Sequence, residues 1–585
     1  MKSWSSLPSE LLQNILHFLT TKDVLQCQLV CHNWTKTAQQ IIYRDVRLES
    51  EAQVALFIKT ISCLDLSFGN YLRKLYIHYN YQDNESNNTF EYLTKYCPYL
   101  EDLELTTTNE MYWKRIKQEQ EKGTWPYLNT LQCPSSKAEF KSYYETITAM
   151  CVTMKSIMLC DYFFFQYSAE SVKQFRRAEK LAFIRSSELS LQELNTVIDA
   201  LPSLTTLVLK LYSPMSAQPL ERYDMSAVLP CSNLTRLDAF IFLGSENAFL
   251  YIMNKFPGLK RLDVNYPNAP LISPMYPAFS LSIIERLADY LNGLESFHIR
   301  QISFENMADF VLVAAKKMCK KRLQVDIAID IQSNQIKLTN LDISCKHKDQ
   351  AGEPSMNLLV RNKNRVLPLS TVLDKFGTLI KNLTIYNRGA PSIFFVEKGT
   401  NHLCIPHRHY LSDIFEGCPN MTELKLSEAR LIGSDLKDTI VTSVHTLILN
   451  KCVYSPSVLR QLSTQLAFLK KMEVSCSEII DPNTLLPLST ASHFFFDMPY
   501  TSFDTFEFTR LSVHAKHKYI FLKLSTVHGE SFHKFNKKDG FSATEQEYEQ
   551  SIGNHSVHTL HIVCKEIKYV QLSDFGHHVY HKVVQ

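Results

Sequence analysis

Four side chains of the types that bind zinc occur within eight residues of one another in the C-terminal half of the chain. They are His402, Cys404, His407 and His409, with Cys418 nearby. Imidazole and thiolate groups are the ligands that zinc prefers, so a metal site is one interpretation. The spacing follows no familiar zinc pattern, and a polar loop between two structural elements explains it as well. We therefore predict no metal and no cofactor.

Two further polar clusters have simple explanations. His577, His578 and His581 lie near the end of the sequence and are interpreted as solvated side chains. The cluster KKMCKKR, residues 316–322, could be a nuclear-import or phosphate-binding patch. It equally suits the last turn of a helix before LQVDIAIDI, because cations stabilise the C-terminal end of a helix. The helix interpretation is favoured.

No catalytic motif is found in the sequence. The chain contains no G-x-S-x-G, no phosphate-binding loop and no dinucleotide fingerprint. Single Ser, His and Asp residues are plentiful, but no pattern places them together. We therefore predict a protein that is not an enzyme. A hydrolase in the region 300–410 stays open as an alternative, supported only by the His/Cys cluster.

The composition limits the class of protein. The chain has 585 residues, 45% of them hydrophobic and 21% charged, which indicates an ordered protein with several domains or a repeat array. Lys plus Arg number 62 against 59 Asp plus Glu, and this near balance argues against a nucleic-acid partner. No apolar run reaches the roughly 18 residues of a spanning helix, so no membrane association is predicted.

The cysteines indicate the compartment. They number 15, are scattered and form no C-x-x-C pair. Buried free thiols in a reducing compartment fit this distribution. The first ten residues, MKSWSSLPSE, also lack the apolar core of a signal peptide. The expected localisation is cytoplasmic and/or nuclear.

A repeat with the form apolar-Pro-x-Leu-x-x-Leu-x-Leu runs through the body of the chain from about residue 70. Plain copies read CPYLEDLEL, LPSLTTLVL, FPGLKRLDV and CPNMTELKL. Successive central apolar residues between Leu75 and Leu262 are 24 to 30 residues apart. Leu-x-Leu alternation predicts a short strand with one buried face. The segment SLQELNTVIDALP predicts an amphipathic helix between strands, with Ser190 and Glu193 at capping-box spacing.

The repeat departs from the usual pattern in two ways. The Asn or Cys that normally follows the second leucine by three residues is nearly absent, and Cys452 is the one good match. The period also breaks down between about 300 and 380, where KHKDQAGEPSMNLLVRNKNR is interpreted as a surface insertion. After residue 490 the repeat is hard to follow. The segment 536–550 is interpreted as a loop, and SVHTLHI near Ser556 as one last strand.

The first 45 residues carry more apolar side chains than so short a segment could bury. Their order L-P-x-E-x-L-x-x-I-x-x-x-L-x-x-x-D, followed by V-C-x-x-W, resembles an F-box. The matching residues are Leu7, Pro8, Glu10, Leu12, Ile15, Leu19, Asp23, Val30, Cys31 and Trp34.

The F-box resemblance and the 20–29 residue period of leucine-rich repeats together define the predicted architecture. The fold class is α/β, with a three-helix F-box followed by an open, curved leucine-rich-repeat solenoid with a parallel strand ladder. The predicted domains are an F-box at 1–48, a linker or first cap at 49–70, and the solenoid at 71–585. Irregular insertions are predicted near 346–370 and 530–555.

The resemblance also implies a function. F-box proteins of this family dock a Skp-family adaptor of a cullin–RING ubiquitin ligase and hold a target protein on their repeats. A repeat scaffold acting outside a ubiquitin ligase is the alternative, because both need the same adaptor surface. The residues expected to bind the adaptor are Leu7, Pro8, Leu11, Ile15, Leu19, Val30 and Trp34.

The target-binding face is predicted from strand alternation. In each Leu-x-x-Leu-x-Leu unit, the residue between the last two apolar positions lies on the opposite side of the strand, which is the concave surface of such a solenoid. Several of these residues are acidic, so a target with a basic patch is predicted. The candidate target-binding residues are Glu104, Asp238, Asp263 and Asp342.

Overall fold

The structure is a computed structural model of the 585-residue chain. Contacts between backbone segments divide it into two compact units, Met1–Ala269 and Pro270–Gln585, and each is described by itself. The structure describes residues 7–62, 68–78, 86–105, 110–134, 136–160, 169–184, 191–210, 228–240, 246–265, 279–302, 306–318, 323–332, 335–345, 355–362, 373–374, 376–387, 410–431, 443–475, 478–479, 493–510, 519–535, 540–552, 554, 557–574 and 577–582.

The first unit begins with three short helices, α1 (Ser9–Leu16), α2 (Thr21–Cys27) and α3 (His32–Ile42). The side chain of Thr20 accepts a hydrogen bond from the backbone N–H of Asp23 and caps α2. A small core, to which all three helices contribute, holds them together. Its buried members are Leu12, Leu16, Val24 and Ala38.

A ladder of short parallel strands follows in the first unit, as the repeat predicts. Its strands are β1 (Asp45–Leu48), β2 (Lys74–Ile77), β3 (Asp102–Leu105), β4 (Thr130–Leu131), β5 (Ser156–Cys160), β6 (Lys180–Ile184), β7 (Thr206–Lys210), β8 (Arg236–Phe240) and β9 (Arg261–Asn265). The helices between them are α4 (Glu51–Ile61), α5 (Ser86–Tyr96), α6 (Glu110–Glu121), α7 (Phe140–Ala149), α8 (Ala169–Val172), α9 (Leu191–Asp199) and α10 (Glu246–Lys255).

A shared backbone hydrogen bond marks the start of each strand from β1 to β8. In every repeat, the carbonyl of the residue just before the strand accepts hydrogen bonds from two successive N–H groups of the next repeat, at 2.8–3.3 Å. One shared carbonyl therefore satisfies two backbone donors, which a buried backbone requires. The residues that supply these carbonyls are Arg44, Arg73, Glu101, Asn129, Lys155, Glu179, Thr205 and Thr235.

The second unit opens with a region that is not a repeat. Strands β11 (Leu323–Gln332) and β12 (Gln335–Cys345) form an antiparallel hairpin, and β12 also pairs antiparallel with β10 (Ser296–Ile302). The hairpin is the physical reason for the loss of period between 300 and 380. Helices α11 (Leu281–Gly293) and α12 (Met307–Lys317) lie before it.

Parallel pairing resumes with β13 (Ser355–Asn362), which lies between β11 and β14 (Ile380–Asn387). The interpretation of this segment as a surface insertion is therefore wrong for residues 355–362, since Met356 and Leu358 are buried. The polar residues 346–354, which suggested the insertion, lie outside the described residues.

The most regular repeats lie between residues 410 and 479. Strands β15 (Glu423–Ser427), β17 (Thr446–Asn450) and β19 (Phe468–Ser475) extend the ladder. A second small parallel sheet accompanies them and consists of β16 (Arg430–Leu431), β18 (Val453–Tyr454) and β20 (Glu478–Ile479). The helices here are α13 (Tyr410–Gly417) and α14 (Pro456–Gln465).

Equivalent residues form the corners of these repeats. Glu428 and Lys451, each directly after its strand, have φ of 56° and 52°. As the sequence predicts, Cys452 takes the usual buried position, and its thiol donates to the carbonyl of Leu426 in the preceding repeat at 3.2 Å. Burial raises the pKa of this thiol to about 12.

The C-terminal region contains two 18-residue strands, β21 (His493–Arg510) and β25 (Val557–Asp574), which pair in parallel. Around them lie β22 (Tyr519–Thr526), β23 (Gly529–Phe535), β24 (Gly540–Ser542), α15 (Glu545–Ser551) and β26 (His577–Lys582). The prediction of a loop over 536–550 is wrong for most of its described part, which forms β24 and most of α15. A capping box of Thr544 and Glu547 starts that helix.

The mixed α/β class, the N-terminal helices and, within each unit, a mostly parallel strand ladder are confirmed. Among the described residues, no helix is both long and apolar enough to cross a membrane.

Candidate protein-interaction site

The three N-terminal helices have more apolar side chains than their core accommodates. Leu12 and Leu16 are fully buried, whereas other apolar residues of the same helices and turns face outward. Phe18 is 90% exposed, Leu29 is 76% exposed and Val30 is 60% exposed. So many exposed large apolar side chains on three short helices indicate a surface that another protein covers. We call this surface the apolar face, and its members are Leu11, Ile15, Phe18, Leu19, Leu25, Leu29 and Val30.

The structure divides the residues predicted to bind an adaptor into two groups. Leu11, Ile15, Leu19 and Val30 lie on the apolar face. Trp34 instead packs partly buried against the core of the three helices. The remaining two, Leu7 and Pro8, precede α1 and are half-buried and exposed respectively.

Phe18, Leu25 and Leu29 are members of the apolar face that the motif did not indicate. The F-box pattern specifies residues at certain positions only, and these three residues lie between those positions. Their signal in the sequence was the apolar excess itself, because only four buried residues form the core of this segment.

Side chains fix the geometry of the turns between the helices. The amide of Asn33 in α3 donates to the carbonyl of Leu7 at 3.0 Å and so joins the start of α1 to α3. The hydroxyl of Thr35 lies within hydrogen-bond distance of the carbonyls of Gln28 and Cys31, and its one proton is shared between them. The bond to Gln28 helps to satisfy a carbonyl at the end of α2 and links that end to α3.

The helices join the strand ladder through Arg44, whose carbonyl accepts from the N–H groups of Arg73 and Lys74 at 2.9 Å. The ring of Tyr43 stacks on Phe68 with centroids 4.5 Å apart. The series of backbone hydrogen bonds that links successive repeats therefore begins directly after the three N-terminal helices.

The predicted target-binding residues of the first unit lie on the partly exposed face of the ladder. Asp238 and Asp263 are neighbours in register, and Glu104 lies on β3. Each aspartate has an arginine two residues earlier, and Arg236 and Arg261 are also neighbours. Arg236 binds Asp238 with two nitrogens at 2.8–3.1 Å, and this hydrogen bond raises the pKa of Arg236. The two acids thus lie beside two bases.

Asp342 lies in the second unit and has a different setting. The prediction placed it on a repeat strand, but β12 is antiparallel, and Asp342 is opposite Asp326. Asp326 accepts a hydrogen bond from Asn357 at 2.6 Å, and Asn357 in turn accepts one from Asn382 at 2.7 Å. A row of hydrogen-bonded side chains, Asp326, Asn357 and Asn382, therefore crosses strands β11, β13 and β14.

The zinc-type residues His402, Cys404, His407 and His409 lie outside the described residues. Their neighbour Cys418 is buried, and burial raises the pKa of its thiol to about 12. Within the described part of the chain, no group of three metal-ligating side chains is found.

The structure describes the Lys/Arg cluster at 316–322 and the C-terminal histidines only in part. Of the cluster 316–322, Lys317 ends α12 and forms an ion pair with Asp289 at 2.6 Å, which agrees with the helix interpretation for this residue. Residues 319–322 lie outside the described part. The backbone of His577, His578 and His581 forms β26, and their side chains are outside the description.

One cluster of Ser, His and Glu does have hydrogen-bond contacts. In the C-terminal sheet, the Ser525 hydroxyl lies 2.9 Å from Nε2 of His561 and 3.0 Å from Oε1 of Glu530. Hydrogen bonds from Lys523 and Ser525 lower the pKa of Glu530, which is therefore ionised at neutral pH. The single hydroxyl proton then goes to the carboxylate, and His561 must donate its Nε2–H to the serine.

This proton arrangement is the reverse of a serine-hydrolase triad, in which the imidazole accepts the proton of the serine. The carboxylate also binds the serine and not the histidine. The cluster is consistent with a hydrogen-bond network that fixes β22, β23 and β25 to one another, not with an activated nucleophile.

Comparison with known proteins identifies one domain. Residues 4–49 match the family model described as F-box-like. This match covers all three N-terminal helices and strand β1, and it ends before helix α4. No curated protein matches the chain. The N-terminal domain is therefore an F-box-like domain. Such domains are protein-interaction modules that typically bind Skp-type adaptors, and the proteins that carry them are generally non-catalytic adaptors.

Proposed function

We propose that this protein is the substrate-recognition subunit of a Skp–cullin–F-box type E3 ubiquitin ligase. The observation that carries the proposal is the apolar face of the F-box-like domain, which the adaptor would cover. The leucine-rich repeats would hold the target protein close to the ubiquitin-charged enzyme, so the chain contributes proximity and not chemistry.

The proposal extends to the chemistry of the target protein and to the compartment in which the protein acts. Glu104, Asp238, Asp263 and Asp342 remain the candidate residues for contact with a basic target, with long-range attraction mainly raising the association rate. Cytoplasmic and/or nuclear action agrees with the free cysteines of the described residues, several of which are buried.

The adaptor interface is tested with Phe18→Ser and Leu29→Ser in one full-length protein. Truncating central anchors of an interface costs about 2 kcal/mol or more, which corresponds to a loss of about 30-fold in affinity. Capture of purified Skp-family adaptor should fall accordingly, while the melting temperature stays unchanged because both side chains are exposed.

Leu56→Ser is the matched control. This leucine is also strongly exposed, but it lies on α4, beyond the F-box-like domain. Its replacement should leave adaptor capture unchanged. Undiminished capture by the Phe18 and Leu29 double variant would contradict the proposed interface. Cullin in the purified complex would distinguish a ligase subunit from a scaffold that binds the adaptor alone.

A further inference from the structure

Basic side chains are concentrated at the start of strands β5 to β9 in the first unit. We call this part of the ladder the basic edge. It runs from the last residue of the preceding helix to the third residue of each strand, with β8 counted from residue 228, and comprises residues 149–158, 172–182, 199–208, 228–238 and 255–263. Nine of these residues are Lys or Arg and four are acidic, namely Glu179, Asp199, Asp238 and Asp263.

The acids of the basic edge have cations of their own. Three of them form ion pairs within the edge, in the pairs Lys155–Glu179, Lys255–Asp199 and Arg236–Asp238. The fourth, Asp263, is the register neighbour of Asp238 and acts on the same arginine. A hydrogen bond to Asp238, with the charges of both aspartates, raises the pKa of Arg236. The acids are therefore matched with three of the nine cations, and the edge keeps a positive excess.

Four other cations of the basic edge are exposed, and none of them forms an ion pair with another described residue. They are Arg176, Arg177, Lys180 and Arg261. Lys180 and Arg261 begin their strands and belong to one register row, in which Thr206 and Arg236 lie between them. Neighbouring strands are about 4.8 Å apart, so the two ends of this row are about 14 Å apart. The two neighbouring arginines lie in the turn before β6.

The acids of the earlier repeats do not neutralise these cations. Lys180 acts on Asp102 of β3, but only weakly. Burial raises the pKa of the Asp102 carboxyl, and Lys74 opposes this rise more strongly than Lys180 does. Lys74 is also the register partner of Asp102. Asp102 therefore has a closer cation, and Lys180 stays available.

A structural role does not account for the two arginines before β6. Cations stabilise the C-terminal end of a helix only within its last turn, and Arg176 and Arg177 follow the end of the short α8 by four and five residues. The residues equivalent to Arg177 in the next two repeats join neighbouring turns. The hydroxyl of Ser203 donates to the carbonyl of Arg176 at 2.9 Å, and the amide of Asn233 donates to the carbonyl of Pro202 at 3.0 Å. The side chain of Arg177 makes no such bond within the described part of the chain.

The charge and geometry of this surface favour an acidic peptide segment. Guanidinium groups bind carboxylates through two parallel hydrogen bonds, and three of the four exposed cations are arginines. An extended chain advances about 3.3 Å per residue, so about four or five residues span the row. Nucleic acid fits less well, because the basic excess is local, whereas the whole chain has 62 Lys and Arg against 59 Asp and Glu.

We propose that Arg176, Arg177, Lys180 and Arg261 bind the carboxylates of an extended acidic segment in the target protein. This inference rests on the proposed function and adds a second recognition element to it. The acidic segment would lie across the strand starts, and a basic patch of the same target would contact the acidic residues within the strands.

The test uses the full chain and two fluorescein-labelled peptides, one of alternating glycine and glutamate and one of alternating glycine and lysine. Fluorescence anisotropy in about 50 mM salt should show tighter binding of the glutamate peptide to the wild-type protein. About 300 mM salt should weaken this binding, because exposed charges are screened. Arg177→Glu with Arg261→Glu should weaken the glutamate peptide by about fivefold for each reversed charge and should strengthen binding of the lysine peptide.

Lys59→Glu with Lys141→Glu is the matched control. These exposed lysines lie on α4 and α7, outside the basic edge, and their replacement changes the net charge equally. The control should bind the glutamate peptide like the wild type. An equal loss in the control would overturn the inference, because it would assign the attraction to net charge alone. Unchanged glutamate binding by a folded Arg177 and Arg261 double variant would overturn it as well.

Two further outcomes separate this inference from its alternatives. A labelled single-stranded oligonucleotide that binds more tightly than the glutamate peptide and displaces it would replace the acidic segment with nucleic acid. Adaptor capture by the same preparations reports on the proposed function, because all the substitutions lie outside the F-box-like domain. A wild-type protein that captures the adaptor but binds both peptides equally would overturn the inference and leave the proposed function standing.

Discussion

The F-box-like helices and the repeats between residues 410 and 479 are built from the same kind of amphipathic segment but treat their apolar side chains differently. In the repeats, Leu424, Leu447 and Leu449 are fully buried. In the helices, the residues of the apolar face stay in solvent. The difference arises because each repeat is covered by the next one, whereas the outward side of the helices has no following element in the described chain. An uncovered apolar side therefore indicates a partner outside the chain.

The strongest test of this comparison removes a buried side chain from the repeats. Leu447→Ala deletes a fully buried leucine in the middle of three parallel strands, and it should lower the free energy of unfolding of its region by about 2–5 kcal/mol. Chemical denaturation followed by circular dichroism measures the change. A loss below about 0.5 kcal/mol, the range typical of surface substitutions, would mean that the repeat core is not packed as described.

Trp34 sharpens the comparison because it lies at the boundary between the core and the surface of the F-box-like domain. Trp34→Ala should reduce adaptor capture and also lower the stability of the three helices by about 1–3 kcal/mol, since the ring packs partly buried against their core. Phe18→Ser should reduce capture alone. Thermal melts of the two variants, measured beside adaptor capture, separate the roles. Equal melting temperatures would show that Trp34 does not support the helices.

The last test varies the pH, and it concerns the C-terminal sheet. Burial and the charge of Lys523 lower the pKa of His561 from 6.5 to about 4. The folded state thus prefers the neutral imidazole, so this contribution to stability is complete above the unfolded pKa and is lost as pH falls towards the folded one. Melting temperatures should decline between pH 6.5 and 4, and His561→Gln should decline less steeply over that window. Parallel pH profiles would contradict the assignment to His561.

Much of the fold was legible in the sequence because it depends on local periodicity. The Leu-x-Leu alternation predicted the short strands and their buried face, since it places every second side chain on the same side of a strand. Cys452 was recognisable because a small buried thiol suits that corner of the repeat. The helix over 191–199 was equally predictable from its apolar spacing, and Pro202 follows its end.

The regions that were predicted wrongly have one feature in common, which is that their structure depends on pairing between separate segments. In β13, Met356 and Leu358 are buried, but they follow a polar stretch, and their alternation is too short to indicate a strand by itself. Their burial depends on pairing of β13 with β11 and β14. The hairpin of β11 and β12 also depends on pairing between segments and not on a local period. Strand β24 is only three residues long and exists through its pairing with β23.

By itself, the sequence determined the F-box-like motif, the repeat and the buried face of each strand, because these follow from residue types at fixed spacing. Only the tertiary structure decided which apolar side chains of the N-terminal helices remain in solvent, since core and surface residues of a helix share one composition. It also decided that Asp238 lies beside Asp263 and that the amide of Asn382 donates to Asn357. Those contacts arise from strands and turns that meet in register across repeats, a relation between distant residues that no single stretch of sequence contains.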